Sequence, residues 1–315
     1  MRVERDVFRK EVVVLHRNVD LDAIISAYLY ALKRGVDTSR PISPPRYVWL
    51  GDLIVTTEEY FAEVVDLVLF LPKKVSKIVV LDMPMKDEIA KKAEELGVEI
   101  EHYDHHDGSA PSTARILWEK FGDELPEWAK YLVELADYSD TGKVLRLPAP
   151  VKYFHLTGLI NALRTYGYDD LVIMLKVIEI LNTYIPMLQK LVEAEKLVKD
   201  IPVIEVGNYR IAIVENKSQA VNQILFEHQN VDFIIFKDSN NLGITRNALI
   251  DKPDLNKLKS ILEEELAEKG KPEEFKEWFF HPAGFLVARG TRKHPAETPS
   301  VLTPQDLLEL LSTIL

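Results

Sequence analysis

Histidine and aspartate residues follow three apolar stretches of this chain, and they are of the types that bind divalent metal ions. The first group lies within His16–Asp22, the second is Asp82 alone, and the third is Asp104-His105-His106. Carboxylate oxygens and imidazole nitrogens are ligands for manganese and related cations. Two such ions held close together activate a water molecule and stabilise negative charge on a phosphate ester. The pattern therefore indicates a hydrolase that uses two metal ions.

Each of these groups follows a stretch that is predicted to be a buried strand. The strands are expected over Glu11–Leu15, Lys77–Leu81 and Val98–His102. Helical patterns and one further candidate strand lie between them: Ala23–Leu32, Arg46–Leu50, Glu58–Phe70 and Lys86–Leu96. This alternation predicts an α/β fold with a doubly wound parallel sheet in the N-terminal part. Because working groups lie beyond the carboxyl ends of such strands, the three groups are expected to meet at one edge.

Taken singly, the same residues have ordinary structural interpretations. A histidine at a strand end is usually a surface or core residue, and Asp82 alone would be a turn residue. Asp20 or Asp22 alone would be read as the N-cap of a helix. Asp137 and Asp140 follow a helical stretch and could be capping or turn residues. The combination, in order and at successive strand ends, favours the metal site.

At this point the chain resembles the DHH phosphoesterase superfamily. The segment His16–Asp22 resembles its first motif, His-x-x-x-Asp-x-Asp, and Asp82 resembles the lone aspartate of the second. Asp104-His105-His106 matches the tripeptide after which the superfamily is named. Asp140-Thr141-Gly142 and Ser112-Thr113-Ala114 resemble the branch that contains nano-RNases, pAp phosphatases and RecJ-like exonucleases. The resemblance covers roughly residues 11–145.

The resemblance implies six metal ligands, namely His16, Asp20, Asp22, Asp82, His105 and Asp140. The first two would bind one ion, Asp82 would bridge, and the remaining three would bind the second. Asp140 is preferred to Asp137 because Thr-Gly follows it. His106 would contact the scissile phosphate or assist the leaving group, and Asp104 would orient an imidazole. The implied cofactor is a pair of Mn²⁺ ions, and Mg²⁺ or Co²⁺ also suit these ligands.

Composition limits the classes of protein that remain. The 315 residues include no cysteine, which excludes disulfides and thiolate zinc sites. The net charge of −11 argues against an extended grip on duplex DNA, so any nucleic-acid contact should be local. No apolar run reaches the length of a membrane span, and the N-terminus lacks an apolar signal core. We therefore expect a cytoplasmic protein without a membrane partner.

Beyond the motifs, the pattern predicts mostly helices and then a second domain. The expected helices are Thr113–Phe121, Pro126–Tyr138, Tyr153–Tyr166 and Asp169–Val198, the last kinked or broken at Pro186. The later expected elements are strands over Ile201–Val206, Arg210–Val214 and Phe233–Phe236 and a helix over Leu255–Lys269. We predict a DHH metal-binding catalytic domain over residues 1–185, a helical linker over 186–203, and a smaller α/β domain over 204–315.

The C-terminal part resembles a DHHA1 substrate-binding domain, with a departure. Gly243–Asn247 resembles its arginine-bearing strand, and His281–Phe285 resembles its His-x-x-Ala/Gly segment. The glycines expected before the histidine are replaced by Glu277-Trp278-Phe279-Phe280, which are either core residues or a reshaped pocket that stacks a base. Arg246 and His281 are the expected phosphate contacts.

A compact basic run follows, made of Arg289, Arg292, Lys293 and His294. It could follow a nucleic-acid backbone or be a solvated loop. We expect Arg289 and Arg292 to be the substrate contacts if the first interpretation holds.

The leading functional hypothesis is a manganese-dependent phosphodiesterase that hydrolyses single-stranded nucleic acid or short oligonucleotides from an end, as a RecJ-like exonuclease or a nano-RNase. The alternatives are a phosphatase or diesterase for pAp or a cyclic dinucleotide, and a polyphosphate or pyrophosphate hydrolase. A different class is an interaction module for a DNA replication or repair protein. The apolar segments Leu171–Leu181 and Leu307–Leu315 are candidate surfaces for a homo-oligomer, although the core is the preferred interpretation of each.

Overall fold

The protein has two compact units, Met1–Leu188 and Gln189–Leu315. The computed structural model describes residues 10–39, 41, 46–50, 53–69, 75–149, 151–251, 253–291 and 293–315, without the side chains of 67–69. Both units combine a sheet with helices, so the predicted two-domain α/β fold is confirmed. The extent of a helical linker stays a prediction. Residues 1–9, on which the expectation of no secretory signal rests, lie outside the described residues.

The first unit is built on a five-stranded sheet. Its strands are β1 (Lys10–Leu15), β2 (Val48–Leu50), β3 (Leu53–Thr57), β4 (Val75–Leu81) and β5 (Glu99–Tyr103). The strand order is β2-β3-β1-β4-β5, with β3, β1, β4 and β5 parallel and β2 antiparallel to β3. Every residue of β1 is buried, as expected for a central strand covered on both faces.

One strand of this sheet was missed in the sequence. β3 lies between the expected strand at 46–50 and the expected helix at 58–70, and it pairs with β1 in parallel. Its sequence, Leu-Ile-Val-Thr-Thr, is rich in β-branched residues and is buried throughout. The run is too short to show a period, so only its composition could have indicated a strand.

Helices cover both faces of the sheet. In the first unit they are α1 (Leu21–Lys33), α2 (Phe61–Leu69), α3 (Asp87–Leu96), α4 (Thr113–Phe121), α5 (Lys130–Asp140), α6 (Val151–Phe154) and α7 (Leu156–Tyr166). A further helix, α8 (Asp170–Leu197), begins in the first unit and ends in the second. On one face, Val12, Ile78 and Val80 of the sheet pack with Phe61 of α2 and Ile89 of α3 in one buried cluster. α1, whose residues 21–31 are all buried, packs against α4 and α5. Two helical layers around a parallel sheet form a doubly wound architecture.

The long helix α8 continues through Pro186, so the expected break is wrong. With the turn that follows, over Asp170–Asp200, it is long and apolar enough to cross a membrane by length and composition alone. A core helix of a globular protein passes the same test. Ile173, Met174, Val177 and Ile178 are fully buried in the first unit, as in a core helix.

The second unit has a six-stranded sheet. Its elements are β6 (Val203–Val206), β7 (Tyr209–Glu215), α9 (Gln219–His228), β8 (Phe233–Asp238), β9 (Asn241–Arg246), α10 (Leu258–Glu268), β10 (Trp278–Phe280), β11 (Leu286–Arg289) and α11 (Pro304–Ser312). The order is β10-β11-β9-β8-β7-β6. β7 and β8 are parallel and joined through α9, and the other neighbours are antiparallel. α10 and α11 bury their leucines against one face of the sheet.

Candidate metal centre

The candidate site lies where the connections of the first sheet diverge. From β1 the chain goes on to β3 on one side, and from β4 it goes on to β5 on the other. A crevice opens at the carboxyl ends of the strands at such a switch point. His16 follows β1, Asp82 follows β4, and Asp104-His105-His106 follows β5. The sheet topology therefore brings together residues that are far apart in the sequence.

His16, Asp20 and Asp82 form the first cluster, with ligand atoms close enough to share one metal ion. His16 Nε2 lies 3.4 Å from Asp82 Oδ2 and 3.8 Å from Asp20 Oδ1. The other ring nitrogen, Nδ1, lies 2.7 Å from the carbonyl oxygen of Arg17. A proton on Nδ1 would be donated to that carbonyl, which leaves the Nε2 lone pair facing the carboxylates.

Asp22, His105 and Asp140 form the second cluster. His105 Nε2 lies 3.3 Å from Asp140 Oδ2 and 3.7 Å from Asp22 Oδ2. It also lies 3.4 Å from Asp82 Oδ1, the oxygen that does not face His16. The two oxygens of the Asp82 carboxylate thus face different clusters, which is the arrangement of a bridging ligand.

The Asp22 carboxylate is fixed by the start of α4. Its oxygens accept hydrogen bonds from the backbone N–H groups of Thr113 at 2.6 Å and Ala114 at 2.9 Å. The side chain is 1% exposed. The first N–H groups of a helix carry partial positive charge and stabilise an anion there. This contact holds Asp22 in one orientation without a basic side chain.

Asp82 is as deeply buried as Asp22. It is 1% exposed, and its Oδ1 accepts a hydrogen bond of 2.9 Å from the Thr113 hydroxyl. Its Oδ2 is buried and, among the described residues, has no hydrogen-bond partner, although His16 Nε2 lies 3.4 Å away. A buried anionic oxygen without a partner costs free energy that a cation would recover. Oxygen and imidazole donors, an orphaned oxygen and no sulfur fit a hard or borderline divalent ion.

The pKa shifts show that the negative charge of the carboxylates in this centre is not fully compensated by the protein. Burial raises the pKa of Asp22 well above its ordinary value, and the negative charge of Asp82 adds to this. Burial also raises the pKa of Asp140, against the opposing effect of His105. Burial opposes the charged form of His16, but the Asp20 and Asp82 carboxylates outweigh it and raise its pKa to about 11. Without metal the cluster recruits protons, which a bound cation would displace.

The loop that carries His16 and Asp20 is fixed by residues that the sequence did not single out. Asp20 caps α1, accepting a hydrogen bond of 3.0 Å from the Ala23 N–H. The N–H of Asn18 donates to Asp170 Oδ2 at 2.7 Å, and Arg164 Nη2 donates to the Val19 carbonyl at 2.7 Å. Asp170 and Arg164 come from α8 and α7, more than 140 residues along the chain, so only the fold could reveal them.

His106 lies at the exposed side of the centre. Its side chain is 55% exposed, and its Nδ1 lies 2.6 Å from Asp104 Oδ1. This hydrogen bond raises the pKa of His106 against a smaller opposing effect of burial. Asp104 therefore orients His106, and the His105 and His106 rings lie 4.6 Å apart. With Asp82 and His105, His106 also forms a third potential metal-binding group.

Asp140 enters the centre and Asp137 does not. Asp137 Oδ1 accepts from the Ser112 hydroxyl at 2.6 Å, and Oδ2 accepts from Arg115 Nε at 3.0 Å. Ser112 is in turn the N-cap of α4. Asp137 thus anchors the start of the helix whose N–H groups hold Asp22.

The expected substrate contacts of the second unit have other roles in the structure. Arg246 is 9% exposed, and its Nη1 donates to the carbonyl oxygens of Asp251 and Pro253. Arg289 is 1% exposed and pairs with Glu274 and Glu277. Both guanidinium groups stabilise the fold, and a contact of either with phosphate stays a prediction. Arg292 lies outside the described residues.

His281 lies in the turn between β10 and β11 and is partly exposed. Its ring packs 4.1 Å from that of Phe285, and its Nδ1 lies 3.1 Å from the Ala283 nitrogen. The aromatic residues before it divide between the two interpretations, since Trp278 is 6% exposed in the core and Phe279 is 47% exposed. The exposed Lys293 and His294 agree with a solvated loop.

No protein-family model matches the chain, and no curated protein matches its sequence. Among solved structures it is similar to an uncharacterized protein from Helicobacter pylori G27, at 11% identity and a TM-score of 0.30, over 96% of this chain and 99% of that one. It is also similar to RecJ from Thermus thermophilus, solved in complex with Mg²⁺, at 13% identity and a TM-score of 0.27. That alignment covers 96% of this chain and 49% of the RecJ chain. Similarities this distant establish no activity.

Proposed function

We propose that this protein is a metal-dependent phosphoesterase that hydrolyses single-stranded nucleic acid or short oligonucleotides from an end. The observation that carries the proposal is the buried Asp82 carboxylate, with one oxygen facing His16 and the other facing His105. A carboxylate shared by two histidine–aspartate clusters is the arrangement expected of a two-metal hydrolase.

His16, Asp20 and Asp82 would hold one divalent cation. Asp22, His105 and Asp140 would hold the second, with Asp82 shared between them. The ions, which we propose to be Mn²⁺ with Mg²⁺ or Co²⁺ as substitutes, would supply an activated water and positive charge opposite the phosphate. Asp22 is kept in place for this task by the first N–H groups of α4.

His106 and Asp104 would act on the substrate itself. The exposed ring of His106 can be reached by a phosphate group, and Asp104 holds it through Nδ1. This leaves Nε2 as the atom that would contact a phosphate oxygen or give a proton to the leaving oxygen. Asp104 is then a positioning residue, because its contact is with the imidazole.

The sequence motifs are shared by enzymes that act on nucleic acids and by enzymes that act on small nucleotides, so the substrate assay below decides between them. A RecJ-like exonuclease and a nano-RNase are two forms of the proposal. Hydrolysis of pAp, a cyclic dinucleotide or polyphosphate would use the same centre. A replication or repair partner, a homo-oligomer and a cytoplasmic location remain predictions from the sequence.

The test is a hydrolysis assay on the full chain with Mn²⁺ and a panel of substrates. The panel contains labelled single-stranded DNA and RNA of several lengths, pAp, a cyclic dinucleotide and polyphosphate. We expect release of mononucleotides from the strands, loss of activity in Asp82→Asn, and full activity in Asp123→Asn, which changes an exposed aspartate of the same unit. Turnover of only a small nucleotide or polyphosphate would move the assignment to that substrate. No turnover of any phosphate ester by metal-loaded protein would overturn the proposal.

A further inference from the structure

The second unit contains a cavity of about 460 Å³ on the side of its sheet that α10 and α11 leave uncovered. Strand alternation explains this position. Leu242 and Ile244 of β9 point into the core beneath α10 and α11, so Asn241, Gly243 and Thr245 face the other way. We call this space the basic cavity, and its lining runs from Val214 to Lys293.

The floor of the basic cavity is apolar and contains one aromatic ring. Phe236, Leu286, Ala288 and Thr245 line it. A Cβ atom at Gly243 would stand 2.6 Å from the tip of the Phe236 ring, so the ring lies over this glycine. Only the missing side chain of Gly243 gives the ring this place on the sheet. The floor therefore offers a flat apolar group to a ligand.

The rim of the basic cavity is positively charged. Lys217, Lys237 and Lys293 line it against a single acidic residue, Asp238. None of the three lysines forms an ion pair with any residue that the structure describes. The chain as a whole carries a net charge of −11, so this local excess of positive charge runs against its composition. Unpaired lysines around an apolar floor favour an anionic ligand with an apolar part.

Amide groups complete the lining. Gln219 and Asn222 of α9 line one wall of the cavity, and Asn241 is the first residue of β9. Asn241 is 7% exposed, and its Oδ1 accepts a hydrogen bond of 3.0 Å from the Ala296 N–H. Its Nδ2 has no hydrogen-bond partner among the described residues. A nearly buried amide with a donor to spare is suited to the polar edge of a ligand.

We propose that the basic cavity binds one nucleotide unit, with the base against Phe236 and the phosphate among the lysines. The volume of about 460 Å³ falls within the range of about 300–1,000 Å³ typical of small-molecule sites. Base stacking on an aromatic ring and lysine contacts to phosphate are the two elements of single-strand binding. The nucleotide unit is either a free mononucleotide or part of a strand. Binding of a nucleic-acid strand rests on the proposed function, whereas binding of a free mononucleotide does not.

The test measures binding to the full chain in EDTA, so that hydrolysis does not occur and the metal centre is empty of ions. The probes are a fluorescein-labelled ten-residue oligodeoxynucleotide, followed by anisotropy, and AMP, followed by calorimetry. The cavity variants are Phe236→Leu and the double variant Lys237→Ala/Lys293→Ala. The matched control is Lys257→Ala/Lys276→Ala, which removes two exposed lysines of the same unit that lie outside the cavity. Unfolding curves establish that each variant is folded.

We expect Phe236→Leu to weaken binding about tenfold, as for loss of one stacked base. The lysine double variant should also weaken binding and reduce the salt slope for the strand by about 0.7 for each lysine. The control should bind as the wild type does. Binding of both probes would identify a mononucleotide site, and binding of the strand alone would identify a strand site.

Three results would overturn the proposal. These are binding of neither probe by the wild type, cavity variants that bind as well as the control, and equal displacement of the probe by an acidic peptide. Failure of the proposed function is recognised separately. Probe binding in EDTA without hydrolysis in Mn²⁺ would leave the cavity assignment standing, and hydrolysis that cavity variants do not alter would leave only the metal centre.

Discussion

The metal centre of the first unit and the Arg289 network of the second bury charge in opposite ways. In the first, Asp22 and Asp82 are each 1% exposed, and no described lysine or arginine pairs with either of them. In the second, Arg289 is equally buried but pairs with Glu277 at 2.6 Å and with Glu274 at 3.5 Å. Glu274 in turn accepts hydrogen bonds from Ser300 and from the Val301 N–H.

This difference separates a functional charge from a structural one. A buried ion with its partner present is part of the architecture, and removing one partner leaves the other uncompensated. A buried carboxylate group that faces imidazoles but no lysine or arginine costs free energy that a cation from solution would recover. Substitutions in the metal centre should therefore lower activity without lowering the stability of the fold. Substitutions in the Arg289 network should lower stability without lowering the activity of the folded protein.

The largest effect is expected from Asp82→Asn. Asparagine keeps the shape and tolerates the left-handed backbone of this position, where φ is 58°. Metal ions supply several kilocalories of charge stabilisation, so loss of the bridge should lower kcat/KM on the order of 10³-fold. In chemical denaturation the metal-free variant should be at least as stable as the wild type, because repulsion with Asp22 is removed. Clear destabilisation of the metal-free variant would mean that the Asp82 charge stabilises the fold, as the Arg289 charge is expected to do.

Arg289→Met should act on stability. It leaves Glu274, which is 5% exposed, buried without its cation, and should lower the free energy of unfolding by about 3–5 kcal/mol. Hydrolysis per folded molecule should not change at temperatures below the transition. The double variant Arg289→Met/Glu274→Gln should recover part of the stability, which thermal unfolding would measure. A large loss of activity in folded Arg289→Met would contradict a purely structural role and support the predicted substrate contact.

Thr113→Val tests how the bridging carboxylate of Asp82 is held in place. The substitution keeps the volume and removes the hydroxyl that donates to Asp82 Oδ1 at 2.9 Å. Loss of such an outer partner typically lowers metal affinity by about 10- to 100-fold. Mn²⁺ titrations of binding by calorimetry would measure the change, with Thr183→Val on an exposed face of α8 as the matched control. Unchanged Mn²⁺ affinity would mean that the hydroxyl does not orient the carboxylate.

Asp306→Asn has the smallest expected effect. It tests a carboxylate that stabilises the fold through its hydrogen bonds, in contrast to the carboxylates of the metal centre. Burial alone would raise the pKa of Asp306, but hydrogen bonds in the capping box with Thr303 and the contact with Lys269 lower it. Its contribution is therefore complete above the usual aspartate pKa of about 3.9 and is lost as pH falls through the lowered value. At pH 7 the variant should lose about 1 kcal/mol. Unfolding curves at pH 7, 5 and 3 would measure the difference from wild type, and a constant difference down to pH 2 would contradict this assignment.

The sequence predicted the position of the candidate metal ligands because the topology of a parallel sheet determines where residues that follow its strands must lie. His16, Asp82 and His105 each follow a strand, and the carboxyl ends of neighbouring parallel strands must lie together. The α/β fold was predictable for the same reason. The residues that hold the ligands were not, because Thr113, Arg164 and Asp170 act through contacts between distant segments.

In the second unit, residue type alone did not show how the arginine side chains are placed. Arg246 and Arg289 have the chemistry of phosphate ligands, but residue type does not reveal exposure. The period of a strand could have revealed it, since Arg289 shares a face with the buried Val287, two residues earlier. The basic cavity gathers residues from 214 to 293 and has no motif, so only the folded chain shows it.

The central position of β1 has a consequence for synthesis of the protein. This strand precedes in sequence both of its neighbours, β3 and β4, so its run of three valines cannot be paired on both edges until residue 81 has left the ribosome. At roughly 5–20 residues per second, this segment of high β-propensity waits for seconds with at least one edge unpaired. Nascent chains of this protein should therefore depend on chaperones that shield the N-terminal segment, and expression at lower temperature or with such chaperones should raise the soluble yield.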